Sequence, residues 1–152
     1  MSETALTVQS RLGRLTMVAR DDSLVSLEWG GRAADHTPLL DEAAAQLSAY
    51  FAGDLRRFDL PLTLDKGQLQ GQVQRAMLAI PFGETRTYGE LARALGAPAQ
   101  AIGQACGANA LPIFVPCHRI LAAQGLGGYS GRGGIESKVA LLRLEGAASL
   151  LL

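Results

Sequence analysis

The sequence predicts an α+β protein of two units, and three observations predict it. Short apolar or alternating runs separated by turn residues fill the first stretch, up to Trp29. From Leu69 onward the apolar residues instead recur every three or four positions, the period of helices. The charge also changes sign along the chain. Residues 1–70 carry seven basic and ten acidic side chains, a net of −3, and residues 71–152 carry seven and four, a net of +3. A swing of that size is also within reach of chance, so it supports a division without requiring one.

Each element has a local reason. Residues 4–9, 13–19 and 24–29 read as strands, with Arg11-Leu12-Gly13 and Arg20-Asp21-Asp22 as the turns of an antiparallel meander. Thr37 and Pro38 supply an N-cap and a first-turn proline for a helix whose apolar face is Leu39, Leu40, Ala43, Leu47, Tyr50 and Phe51. Gly53 stops it. That helix covers the sheet, which makes Trp29, Tyr50, Phe51 and Phe58 core residues. His36 reads as a histidine in a solvent-exposed loop. Residues 53–66 read as a linker with a short extended piece, so the units are expected at 1–66 and 67–152. Leu69, Val73, Ala76, Met77 and Ile80 then mark a helix, ended by Pro81-Phe82-Gly83. Thr87 and Glu90 form a capping box for a helix over 88–95, closed by Gly96. Pro98 opens a further helix over 99–106, the second half of a helix-turn-helix. A glycine-rich loop covers 125–131, and a last helix covers 135–144.

The bulk properties exclude several classes. The chain has 152 residues, of which 48% are hydrophobic and 18% charged, against global disorder. No apolar run reaches the ~18 residues of a membrane span, and the first residues lack the pattern of a signal peptide. Two cysteines, Cys106 and Cys117, make neither a disulfide framework nor a four-ligand zinc cage. The expected compartment is the cytoplasm. A formal net charge of zero, taken alone, speaks against nucleic acid.

Two segments stand out. In the helix over 99–106, Ala99, Gln100, Ala101, Gly103 and their neighbours are small or uncharged. Such a surface suits either a packed core helix or a close approach to a DNA minor groove, but not base reading in the major groove. The other segment is Pro116-Cys117-His118-Arg119. A thiolate is the reactive form of cysteine, a nearby base activates it, and a third group must orient that base. Glu136 and Glu145 are the downstream carboxylates, and Glu145 ends an apolar stretch where a carboxylate needs a partner. An inert buried thiol remains open on spacing alone. A zinc deaminase is excluded, because Ile120 stands where its second cysteine belongs and no His-x-Glu occurs. A metal site built on Cys106, Cys117 and His118 lacks a fourth ligand. A cysteine hydrolase stays open.

The segment Val115-Pro116-Cys117-His118-Arg119-Ile120 resembles the active-site motif of the O6-alkylguanine-DNA alkyltransferases. Residues 80–92 (IPFGETRTYGELA) resemble that family's helix-turn-helix entry, 127–131 (GGYSG) its active-site loop, and 141–146 (LLRLEG) its closing helix. Asn109 sits eight residues before the cysteine, where the family has an asparagine. The likeness is strong over 69–146 and weaker over 1–66, where 47–62 is similar to the end of the family's first domain.

The resemblance implies a ribonuclease-H-like α/β domain followed by a winged helix-turn-helix domain. It implies repair of double-stranded DNA carrying O6-alkylguanine, with O4-alkylthymine as a second substrate, by a monomer that flips the damaged nucleotide through the minor groove, with no cofactor, metal or membrane. Cys117 would accept the alkyl group once per molecule, His118 would take the thiol proton through a water, and Glu145 would hold the histidine. Tyr88 would donate to guanine N3 and Ser130 near O6. The carbonyls of Cys117 and Ile120 would accept from the exocyclic amine. Asn109 and Pro116 would shape the site, while Gln100, Ala99, Ala101, Gly103, Arg119 and Tyr129 would meet DNA or substrate. Four departures accompany it. Gln100 replaces the usual intercalating arginine, Leu69 and Gln74 replace frequent aromatics, residues 131–138 are slightly extended, and the zinc-binding cysteines of some members are absent. A lesion-binding module without transfer is the other class; it would lack the reactive cysteine.

Overall fold

The computed structural model describes residues 3–129 and 134–147. The chain separates into two compact units, Met1–Thr63 and Leu64–Leu152.

In the first unit, β1 (Glu3–Ser10), β2 (Gly13–Arg20) and β3 (Ser23–Trp29) form an antiparallel sheet in that order. Asp21 and Asp22 both hold positive φ, 53° and 64°, the requirement of the two-residue turn that matches strand twist. The helix α1 (Pro38–Phe51) starts where Thr37 Oγ1 accepts from the Leu40 amide at 3.1 Å. It buries Leu40, Ala43, Leu47, Tyr50 and Phe51, while the strands bury Leu6, Leu15, Met17, Leu24 and Leu27. Trp29 and Phe58, expected in this core, are only half-buried. Phe58 lies at the edge against Tyr50, with ring centroids 5.2 Å apart. His36 is exposed, as expected, and pairs with Asp41 at 2.7 Å. The expected linker is partly strand-like: Leu24 donates to the Pro61 carbonyl at 2.9 Å and accepts from Thr63 at 2.8 Å.

The second unit is helical: α2 (Gln68–Leu78), α3 (Tyr88–Leu95), α4 (Ala99–Gly107) and α5 (Ile135–Glu145). The Thr87–Glu90 capping box forms in both directions, at 3.1 and 2.8 Å, and Gly96 closes α3 in the left-handed conformation. The helix α4 divides by face. Ile102, Ala105 and Cys106 are buried, whereas Ala99, Gln100 and Gln104 are exposed. The packed-core reading of its small side chains therefore holds for one side of the helix, and the other side is open to solvent.

One pairing is absent from the sequence reading. The two-residue strands β4 (Arg86–Thr87) and β5 (Ile120–Leu121) run parallel, with Arg86 opposite Ile120 and Thr87 opposite Leu121. Parallel pairing joins segments far apart in sequence, and two residues are too few for a periodic signal. The pairing fixes the start of α3 beside the Cys117 segment.

Thr87→Ala removes the cap but not the pairing. It should destabilise the protein by about 1 kcal/mol in chemical denaturation. A loss within the error of the measurement would mean that β4–β5 alone holds the start of α3.

Candidate active site

Residues 111–120 are buried without interruption. A buried irregular segment must find partners for its backbone groups, and this one does so locally. Asn109 is the anchor. Its Oδ1 accepts from the Leu111 amide at 3.1 Å and its Nδ2 donates to the Val115 carbonyl at 3.0 Å. The Val115 amide donates to the Leu111 carbonyl at 2.8 Å. Ile113 takes a φ of 74°, an uncommon conformation for a β-branched residue, inside this closed turn. Pro116 then sits at φ −79° and ψ 68°, and the Cys117 amide donates to the Val115 carbonyl at 2.8 Å. That is an inverse γ-turn, whose φ the proline ring presets. A single 3-10 turn, Cys117–Arg119, follows.

The turn carries Cys117 and His118 toward different partners. His118 Nε2 lies 2.8 Å from Glu145 Oε2 at the end of α5, and the histidine is fully buried. Arg119 donates from Nε to Glu145 Oε1 at 2.8 Å and from Nη2 to Oε2 at 2.9 Å, a two-pronged fork. Its Nη1 donates to the Ile80 carbonyl at 2.6 Å, and its guanidinium lies over the Phe82 ring. Arg119 is thus turned inward and holds Glu145, whereas the resemblance placed it among DNA contacts.

The charge state of this cluster follows. Burial pushes the Glu145 carboxyl up, but hydrogen bonds from His118 and Arg119 outweigh it and hold the pKa at about 2. Burial pushes His118 down, with Glu145 opposing. Near neutral pH the imidazole is therefore uncharged and the carboxylate ionised. An ionised carboxylate only accepts, so Nε2 carries the proton and Nδ1 is left as an acceptor. Nδ1 is buried without a hydrogen-bond partner among the described residues. Chemically, the arrangement is a base held in one tautomer with its lone pair free.

Cys117 borders a cleft of about 270 Å³, lined also by Tyr88, Gly103, Cys106, Gly107, Gly128 and Tyr129. Burial pushes its thiol pKa up, while an Asn109 hydrogen bond and the Lys138 charge pull it back. Tyr88 is raised too, by burial first and then by the two cysteines, and its hydroxyl meets the Gly128 backbone. Gly127 has φ +72°, and a Cβ there would lie 3.0 Å from the Tyr88 ring, so glycine lets loop and ring touch. Tyr129 lines the cleft, and burial keeps its phenol protonated. Cys106 faces the same cleft; burial pushes it up to about 12, and its thiol rests 3.8 Å from the Met77 sulfur. Ala99 and Gln100 are exposed on the outer side of α4, with Ala101 half-buried beside them. Ser130 lies outside the described residues. No group of three or more His, Cys, Asp or Glu side chains among the described residues could hold a metal ion.

Lys138 escaped the sequence reading. It is fully buried in α5, and its Nζ donates to the carbonyls of Ile120 at 2.6 Å and Gly128 at 2.9 Å. Burial lowers its pKa to about 8, against the raising effect of the two cysteines. It straps the glycine-rich loop to the Cys117 turn. The signal was available: Lys138, Leu141, Leu142 and Glu145 fall at positions i, i+3, i+4 and i+7, one face of a helix.

Glu145→Gln strands the buried Arg119 charge and should cost about 3–5 kcal/mol at neutral pH. The folded pKa of Glu145 lies below its ordinary 4.5, so its stabilisation is complete above that value and is lost as pH falls toward about 2. Denaturation across pH 2–7 should therefore show the gap between the parent and Glu145→Gln closing in acid; a constant gap would contradict the assignment.

Comparisons with known proteins show the family. Residues 5–64 match the family model described as 6-O-methylguanine DNA methyltransferase, ribonuclease-like domain. Residues 68–147 match the model described as its DNA binding domain. The chain is 43% identical over 150 residues to a methylated-DNA–protein-cysteine methyltransferase of Mycolicibacterium paratuberculosis, covering 91% of this chain and 90% of that protein. It superposes on the crystal structure of the Mycobacterium tuberculosis O6-methylguanine methyltransferase with a TM-score of 0.84 and 40% identity, covering 95% of this chain and 93% of that one. The tuberculosis protein in complex with DNA gives 0.83 and 41%, covering 93% and 92%. With both units matched in order and along nearly their whole length, the chain belongs to the 6-O-methylguanine DNA methyltransferase family.

Proposed function

We propose that this protein repairs duplex DNA by moving the alkyl group of O6-alkylguanine irreversibly onto Cys117. The observation that carries the reading is the buried His118, oriented by Glu145, with no hydrogen-bond partner on Nδ1 among the described residues and preceded in the chain by Cys117, which borders a cleft. The thiol proton leaves through a water to Nδ1. The sulfur then attacks the alkyl carbon, an S–C bond forms as the C–O6 bond breaks, and the electron pair moves onto guanine. Protonation of the base restores guanine and leaves a thioether, which is too stable to turn over. Each molecule therefore acts once.

The other cleft residues fit supporting roles. The protonated Tyr88 phenol donates to guanine N3 as charge develops on the ring. The carbonyls of Cys117 and Ile120 accept from the exocyclic amine. The Ile120 oxygen already accepts from Lys138, and a carbonyl has a second lone pair to offer. Gly103 and Gly107 line the cleft without side chains, which leaves room for a base. Ala99, Gln100 and Ala101 form the surface that enters the minor groove, with Gln100 filling the gap left by the flipped nucleotide. Ser130 is proposed as a donor near O6 and Tyr129 as a wall of the cleft. The modest +3 of residues 71–152 favours weak binding to undamaged DNA, because few phosphates are neutralised. We assign the protein to the cytoplasm as a monomer, with O4-alkylthymine as a secondary substrate.

The test is a titration of the protein against a duplex with one O6-methylguanine, counting guanines restored. One per chain at saturation is expected, and none for Cys117→Ser. More than one per chain would mean a turning-over hydrolase; tight lesion binding with none restored would mean a sensor. Gln100→Arg should raise the transfer rate about tenfold, or ~1.4 kcal/mol of barrier, by filling the gap with a longer, charged donor. An unchanged rate would contradict the role given to Gln100.

A further inference from the structure

Gln74 is a buried polar residue whose place in the fold neither the motif nor the chemistry above accounts for. It stands in α2, where an aromatic side chain was expected, and is 2% exposed. A buried amide is costly unless its groups are bonded, and this one is engaged at both ends. Its Oε1 accepts from the Asp65 backbone amide at 2.6 Å. Its Nε2 donates to Asn109 Oδ1 at 3.2 Å.

That second bond has a consequence for Asn109. The asparagine oxygen receives two donors, Gln74 Nε2 and the Leu111 amide. Both lone pairs are then used, and the amide has one orientation. Its Nδ2 must face the other way, toward the Val115 carbonyl and the Cys117 thiol. One of the two Nδ2 hydrogens closes the turn, which leaves the other for the Cys117 thiol, whose pKa the Asn109 hydrogen bond lowers. Without the Gln74 donor, only the Leu111 and Val115 bonds would hold that orientation, and one buried lone pair of Oδ1 would lose its donor.

We infer that Gln74 is a positioning residue for alkyl transfer: by bonding Asn109 Oδ1 it fixes the amide that presents an N–H to the Cys117 sulfur. The inference rests on the reading of Cys117 as the nucleophile. Its effect is on the thiolate, since an N–H aimed at sulfur favours the charged form. The other groups facing the thiol are Lys138 of α5, Cys106 of α4, Tyr88 at the start of α3, Tyr129 and the neighbouring His118, and all stay unchanged in the variants used.

The experiment compares the full-length protein with Gln74→Met, which keeps length but has no donor, and Gln74→Glu, which keeps the acceptor for Asp65 but sets a carboxylate against Asn109 Oδ1. Three quantities are read: the transfer rate with O6-methylguanine duplex, duplex affinity, and the pH profile of Cys117 alkylation by iodoacetamide. Both variants should transfer about tenfold more slowly with affinity unchanged, and the alkylation profile should move to higher pH. A lower melting temperature with an unmoved profile and transfer rate would overturn the inference and leave Gln74 a packing residue. If Gln74→Met folds too poorly to assay, Gln74→Glu decides by the same readouts. A parent protein that restores no guanine would instead overturn the assignment of Cys117, and the iodoacetamide profile would still report on Gln74.

Discussion

The site depends on a buried carboxylate that cannot stand alone. Glu145 is held almost entirely out of water, where an unpaired charge is very costly. Three hydrogen bonds from His118 and Arg119 make its ionised state tolerable. The same bonds fix the imidazole tautomer, bring the end of α5 to the Cys117 turn, and turn Arg119 inward. Stability and the tautomer of the imidazole therefore share one cluster.

Around that cluster the fold solves a problem of distance. Tyr88 and Cys117 lie far apart in sequence, yet both line one cleft. The parallel β4–β5 pairing places Thr87 opposite Leu121, and Lys138 ties the Gly128 loop to the carbonyl of Ile120. Gly103 and Gly107 on α4 keep one wall of the cleft thin, while Ile102 and Ala105 of the same helix are buried. A helix that is smooth on one side and packed on the other can meet a nucleic acid closely without losing its own support.

Much of this was legible because it is local. The capping box at Thr87, the proline-opened α1, the meander turns and the order of the motifs all follow from residues within a few positions of one another. Cys117, His118 and Glu145 were legible as a set because their chemistry restricts their neighbours. What stayed hidden depends on contacts between distant segments. Arg119 read as a DNA or substrate contact and Lys138 drew no reading at all, since such residues are rarely buried and only the fold supplies the partners that bury them. Gln74 read as altered packing, because its bond to Asn109 spans two helices and a turn. Trp29 and Phe58 read as core because aromatic residues usually are, whereas the edge of a small sheet leaves them half-covered.

The measurement that bears most directly on this account is the protonation state of His118 near pH 7, read from the nitrogen-15 shifts of the imidazole in the intact protein. A neutral ring with its proton on Nε2 and an unprotonated Nδ1 is expected. A ring protonated on Nδ1, or a charged imidazolium, would leave no lone pair for the Cys117 proton and would contradict it.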